Sequence, residues 1–253
     1  MRMRQFVFVA EELQPAADEI CDVLGLKTCY QDPGVGHFGL ENYLIPINGN
    51  LIEVVAPKED GTTAGRYLER RGGPGGYMVI TQCEDAVAER ERIAAMGIRI
   101  VWQTDDDECQ ATHFHPGDVP GAILSIDTMR PGENWHAENA HWRWAGPNWE
   151  KDIKTDVSQA LTAIEFQGDD PIALANKWAD VLNCPLTIHE VPEVALDNMK
   201  LRFVKAEDDR GVGISAIDIL PQNRAAILAA ADKRGKKLSD DQIELCGVKV
   251  NLI

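Results

Sequence analysis

The stretch HFHPGDVPGAILSID, from His113 to Asp127, carries two histidines two residues apart. Read as a strand, a tight turn and a second strand, it points His113 and His115 to one face. An imidazole pair so placed can ligate a metal, move a proton, or stand in a polar wall. Glu53 is the second reactive group, set in the apolar run NLIEVVAP. An unpaired carboxylate in such a strand is costly, so Glu53 reads as a general base, a ligand, or one half of a pair with an arginine. His37 opens HFGLENYLIPI after a glycine-rich turn. Arg66 and Tyr67 could grip an anionic group, although with Glu69 and Arg70 they read more simply as a helix surface.

These residues sit in a repeat. Residues 5–26, QFVFVAEELQPAADEICDVLGL, are an apolar strand, an acidic loop and an amphipathic helix ended by Gly25. Residues 77–98, YMVITQCEDAVAERERIAAMGI, follow the same order, with Gly97 in the place of Gly25. The offset of 72 set by these glycines also lays GNLIEVVAP on GAILSIDTM, so that Glu53 meets Ser125 and Gln5 meets Tyr77. It lays Tyr43 on His115, and the hairpin turn is expected to set His115 opposite Ser125. Each unit reads as strand, helix and three strands. Modules 1–57 and 74–130 make a first domain over 1–132, and a looser pair fills 157–253. The connector 133–156 holds NWHAENAHWRWAGPNWEKD, whose tryptophans suit a segment packed over a surface. His136 and His141, among these tryptophans, are expected to serve packing or an interface.

The net charge of −16 argues against nucleic acid and favours a cationic small molecule. Six dispersed cysteines without a Cys-x-x-Cys pair fit reduced thiols in the cytoplasm. The start MRMRQFVFVAEEL reads as a buried strand and not a signal peptide, and no run is long enough to span a membrane. A homodimer is compatible with all of this.

With its βαβββ order, and with GVGHFGLENYLIPINGNLIEVVAP followed by TAGRYLERRGGPGGYMVI, the chain resembles the vicinal oxygen chelate superfamily, and within it the glyoxalase-like domains. The resemblance implies an α+β fold of four such modules in two pairs, with cup-shaped sheets and helices outside. It implies a divalent metal in the cup, held by first and last strands, for which Gln5 and Glu53 are suitable ligands. Tyr77 and Ser125 occupy the other two ligand positions and are not usual ligands, so His115 is expected to complete the set. His113 then serves as a fourth ligand or a base. His37, Tyr43, Tyr77 and Ser125 are expected to line the substrate, and no organic cofactor is called for. Two functions stay open. One is a metal-assisted lyase or isomerase acting on a small oxygenated substrate, with Glu53 or His113 moving the proton. The other is a metal-free binding protein of the bleomycin-resistance type.

Overall fold

A computed structural model describes residues 1–253. The chain is mixed α+β, with fourteen strands and five α-helices in four βαβββ-type modules. The first module has β1 (Arg2–Val9), α1 (Leu13–Leu24), β2 (Leu40–Ile47) and β3 (Asn50–Pro57). After α2 (Thr63–Arg71), the second has β4 (Gly75–Gln82), α3 (Ala86–Ala95), β5 (Ile100–Asp105), β6 (Cys109–Phe114) and β7 (Ile123–Met129). The third has β8 (Ser158–Gly168), α4 (Pro171–Leu182), β9 (Leu186–Ile188), β10 (Pro192–Ala195) and β11 (Lys200–Lys205). The fourth has β12 (Gly213–Pro221), α5 (Arg224–Lys233), β13 (Gln242–Leu245) and β14 (Val248–Leu252). No helix is long and apolar enough to cross a membrane.

Two compact units divide the chain, each discontinuous in sequence. One comprises Met1–Gln5, Met78–Arg143 and Ala163–Ile214, and the other Phe6–Tyr77, Trp144–Thr162 and Ser215–Ile253. The first unit holds most of the second and third modules, which share one strand plan. β4 pairs parallel with β7, β7 antiparallel with β6, and β6 antiparallel with β5. In the same way β8 pairs parallel with β11, β11 antiparallel with β10, and β10 with β9. Trp178 of α4 is fully buried, its ring 4.5 Å from that of Phe166, and its indole N–H donates to the Pro120 carbonyl at 2.9 Å. The buried indole thus keeps its hydrogen bond while packing as a large apolar surface.

The second unit holds most of the first and fourth modules. β2 and β3 form an antiparallel hairpin, while β12 pairs parallel with β14 and β14 antiparallel with β13. α1 buries Leu13, Ala17, Ile20, Val23 and Leu24, the stripe an amphipathic helix turns inward. α1 and α5 are linked by ion pairs, Asp22 with Arg234 and Glu19 with Lys236. In both modules of this unit the strand expected next after the helix shrinks to a single bridge, Tyr30 with Leu44 and Lys237 with Ile243. Local chemistry explains the loss. Asp32 caps a 3-10 turn at Pro33–Phe38, and residues 234–241 are almost all charged or polar and lie around Gly235.

The offset of 72 survives at the helix ends, where Gly25 and Gly97 both take left-handed φ, 66° and 79°. It fails across the second hairpin. Glu53 pairs with Leu44, nine residues earlier, whereas Ser125 pairs with His113, twelve residues earlier. The second hairpin therefore carries three more residues, and His113, not His115, lies opposite Ser125. β6 stops at Phe114 because Pro116 lacks an N–H and the amides of Asp118 and Val119 turn back to the His115 carbonyl.

Candidate functional site

In the first unit, strand alternation decides which groups can meet. Thr112 accepts a hydrogen bond from Arg90 Nε of α3 at 2.6 Å, so it faces the helix and His113 faces away from it. His113 is half-buried, its ring 4.5 Å from that of Trp102, its neighbour on β5. Desolvation lowers its pKa to about 4, so the imidazole is neutral at pH 7. Ser125 is fully buried and donates to Asp127 Oδ1 at 2.5 Å. It therefore joins a carboxylate on its own strand, and His113 faces its hydroxyl position across the ladder.

His115 lies in the turn. Its Nδ1 accepts from the Gly117 amide at 3.0 Å, and the Arg99 guanidinium stands 3.2 Å from the same nitrogen. Two donors on Nδ1 place the ring proton on Nε2, which leaves no free lone pair for a metal. Arg99 is itself held by Asp118 at 2.8 Å. Gln5 is buried, and its Oε1 accepts from the indole N–H of Trp142 at 2.8 Å.

In the second unit, Glu53 is 5% exposed and its Oε1 accepts from Asn42 Nδ2 at 2.5 Å. Asn42 Oδ1 in turn accepts from the Asp32 amide at 2.9 Å, which fixes which end of the carboxamide faces Glu53. Tyr77 is buried edge-on against Tyr67, ring centroids 5.3 Å apart, and Tyr67 donates its hydroxyl to the Gly76 carbonyl at 2.6 Å. Burial pushes the Tyr77 phenol well above its ordinary range. Tyr67 adds to that push and Glu53 adds a smaller one, against Arg66 and Arg70. Asn42 and Glu53 thus form one hydrogen-bonded pair and Tyr67 and Tyr77 one ring pair, with Glu53 adding a small electrostatic effect on Tyr77. Tyr43 joins neither: its hydroxyl donates to Gln14 on α1 at 3.0 Å, on the opposite face of β2 from Leu44, the partner of Glu53. His37 is exposed in the 3-10 turn, edge-on to Phe38.

A metal does not fit these donors. No three His, Cys, Asp or Glu side chains come together in a way that could hold an ion. The Gln5 oxygen already accepts the Trp142 indole N–H, and His115 Nδ1 accepts from two donors. Two open clefts lie in the second unit, one beside Asn48 and Gln159 and one beside Glu11, Leu68 and Glu69, and none of the expected site residues lines either.

Sequence reasoning passed over Asn42, Trp142, Arg2 and Arg4. The signal for Asn42 was present, since it lies two residues from Leu44 on the face that Glu53 must share. No signal marked Trp142 as the partner of Gln5, 137 residues away.

Fold and residues together define a vicinal oxygen chelate protein, and the chain belongs to the family described as Glyoxalase-like domain, whose model matches residues 6–182. That match takes in the first two modules, the connector, and the third module through α4. Among solved structures, the chain is similar to a hypothetical protein from Staphylococcus aureus, with 11% identity, 99% of this chain and 98% of that chain covered, and a TM-score of 0.68. It is similar to a mutant of 4-hydroxymandelate synthase from Streptomyces coelicolor, with 12% identity, 92% and 75% covered, and a TM-score of 0.68. Methylmalonyl-CoA epimerase from Mycobacterium tuberculosis matches 51% of this chain and 89% of its own at 20% identity and a TM-score of 0.46. No curated protein sequence matches the chain.

Proposed function

We propose that this glyoxalase-like protein binds a small organic molecule without a metal, through Glu53, Asn42, Tyr67 and Tyr77. The observation that supports this reading is the 2.5 Å hydrogen bond that holds a 5% exposed carboxylate in an otherwise apolar strand. Such a group destabilises the fold relative to an apolar side chain, so a role in recognition accounts for its being there. A buried carboxylate beside a neutral phenol suits a ligand with an N–H, an O–H or a cationic nitrogen, and the charge of −16 would steer a cation to it.

A second reading, a lyase or isomerase with Glu53 as general base on a small oxygenated substrate, draws on the same carboxylate. Neither reading uses Gln5 and His115 as ligands. Cytoplasmic residence and a homodimer remain proposals; six free thiols suit a reducing compartment. The pairs 1–132 and 157–253 are proposed as units of repetition along the chain.

The test is direct. Protein purified without chelator is assayed for metals, then melted with zinc, manganese or nickel ions and with a panel of small cationic and neutral compounds. The binding reading expects no stoichiometric metal, no stabilisation by ions, and stabilisation by a compound that Glu53→Gln abolishes. A bound ion lost in Glu53→Gln would overturn it.

A further inference from the structure

One stripe of α2 is open where a helix face normally packs. Gly65, Leu68, Glu69 and Gly72, the residue that caps the helix, recur at the spacing of a single helix face. With Gly73, Pro57 at the end of β3 and Glu11 ahead of α1, they line a cleft of about 450 Å³, a size that suits a small ligand. All of them lie in the second unit. Leu68 is buried and Pro57 half-buried, so the cleft has an apolar floor. Gly72 and Gly73 have positive φ, which accounts for glycine at those positions. Gly65 does not, and inside a helix it is less stable than alanine. A Cβ there would meet only the capping hydroxyl of Thr62, at 3.2 Å, so no crowded packing demands a glycine. What its small size does is leave the cleft open.

Glu11 and Glu69 are exposed in this cleft, and neither carboxylate has an ion-pair partner. The arginines of α2 are turned elsewhere. Arg66 donates to the Gly61 carbonyl and the Thr63 hydroxyl, and Arg70 and Arg71 stand over the Tyr67 ring at 5.8 and 5.9 Å. At 100° per residue, Tyr67 projects from the side of α2 opposite the stripe. Glu69 also stands in the last turn of α2, where the helix dipole opposes a carboxylate and favours a cation.

We propose that this cleft binds a small organic cation, an aliphatic amine with its hydrocarbon body on Leu68 and Pro57 and its ammonium beside Glu11 and Glu69. The floor takes the apolar body, and the two carboxylates supply the charge that the ammonium needs. A chain of net charge −16 draws cations towards it. The site goes beyond the Glu53 reading and uses none of its residues.

The probe is pentylammonium chloride, with sodium chloride at equal ionic strength and 1-pentanol as the charge-only and body-only controls. Binding is read from the NMR amide signals of Gly65, Gly72 and Gly73. Pentylammonium should shift all three and saturate, sodium chloride should leave them in place, and 1-pentanol should bind at least threefold more weakly. Glu11→Gln with Glu69→Gln should weaken pentylammonium about fivefold, as expected for exposed carboxylates. Gly65→Leu fills the cleft and should abolish the response. Glu53→Gln should keep it, so failure of the Glu53 reading and failure of this one are distinguishable. Shifts that do not saturate, or that sodium chloride reproduces, would overturn the site. So would an affinity unchanged in the double glutamine variant, which alters only exposed side chains and decides the matter if Gly65→Leu does not fold.

Discussion

Asn42 gives its side-chain N–H to Oε1 of Glu53 at 2.5 Å, and its own oxygen takes the Asp32 amide. One carboxamide therefore ties a buried carboxylate to the turn that precedes β2. Asn42→Leu removes this donor while the carboxylate stays buried, and should cost about 2–3 kcal/mol. The double variant Asn42→Leu with Glu53→Leu should recover most of that loss. Urea unfolding of the three proteins measures it; equal losses in the single and double variants would mean that the carboxylate is not the burden.

His113 ties stability to pH. Its folded pKa of about 4 lies below its unfolded 6.5, so between these values the unfolded chain binds more protons. Stability should fall as pH drops from about 6.5 to about 4, by on the order of 2–3 kcal/mol, and this contribution should level off below. Comparing the pH dependence of unfolding in His113→Phe and in the parent isolates the effect. An NMR titration in which the His113 ring shifts near pH 6.5 would contradict it.

The chain has four tyrosines, and the phenol of Tyr77 is pushed above the ordinary range. In an absorbance titration towards alkaline pH, Tyr77 should stay protonated beyond the ordinary phenol range. Tyr77→Phe should remove a component that ionises above that range.

Gly25 and Gly97 are counterparts with unequal surroundings. Both have positive φ, but a Cβ on Gly25 would come within 2.5 Å of the Val157 side chain, whereas one on Gly97 would meet nothing within 4 Å. Gly97→Ala should cost about 1 kcal/mol for the left-handed backbone alone. Gly25→Ala should cost at least about 1 kcal/mol more, because the valine or the backbone must shift as well. Thermal melts of the two variants test the ordering.

Much of the fold was legible from the residues. Alternating apolar strands, the amphipathic spacing of α1 and the glycines ending two helices are local signals, and local signals repeat when a module repeats. They marked the modules, placed Glu53 in a buried strand, and showed that His113 lies in a hairpin with Ser125. The three-residue difference between the hairpins was hidden, because register depends on where a turn closes, and Pro116 moved that point. The strand lost before Leu44 was hidden because a 3-10 turn competes with extension over the same residues.

The site was less legible still. The family resemblance implied a metal set of Gln5, Glu53 and His115, but a donor ligates only where it is not already committed elsewhere. Trp142 takes the Gln5 oxygen from 137 residues away, and a turn amide takes His115 Nδ1. Which modules form a compact unit, and which backbone Arg2 and Arg4 hold, likewise rest on contacts between segments far apart in the chain. Periodicity and capping are settled within a few residues and can be read there; partners brought together by the folded chain depend on packing that no short stretch encodes.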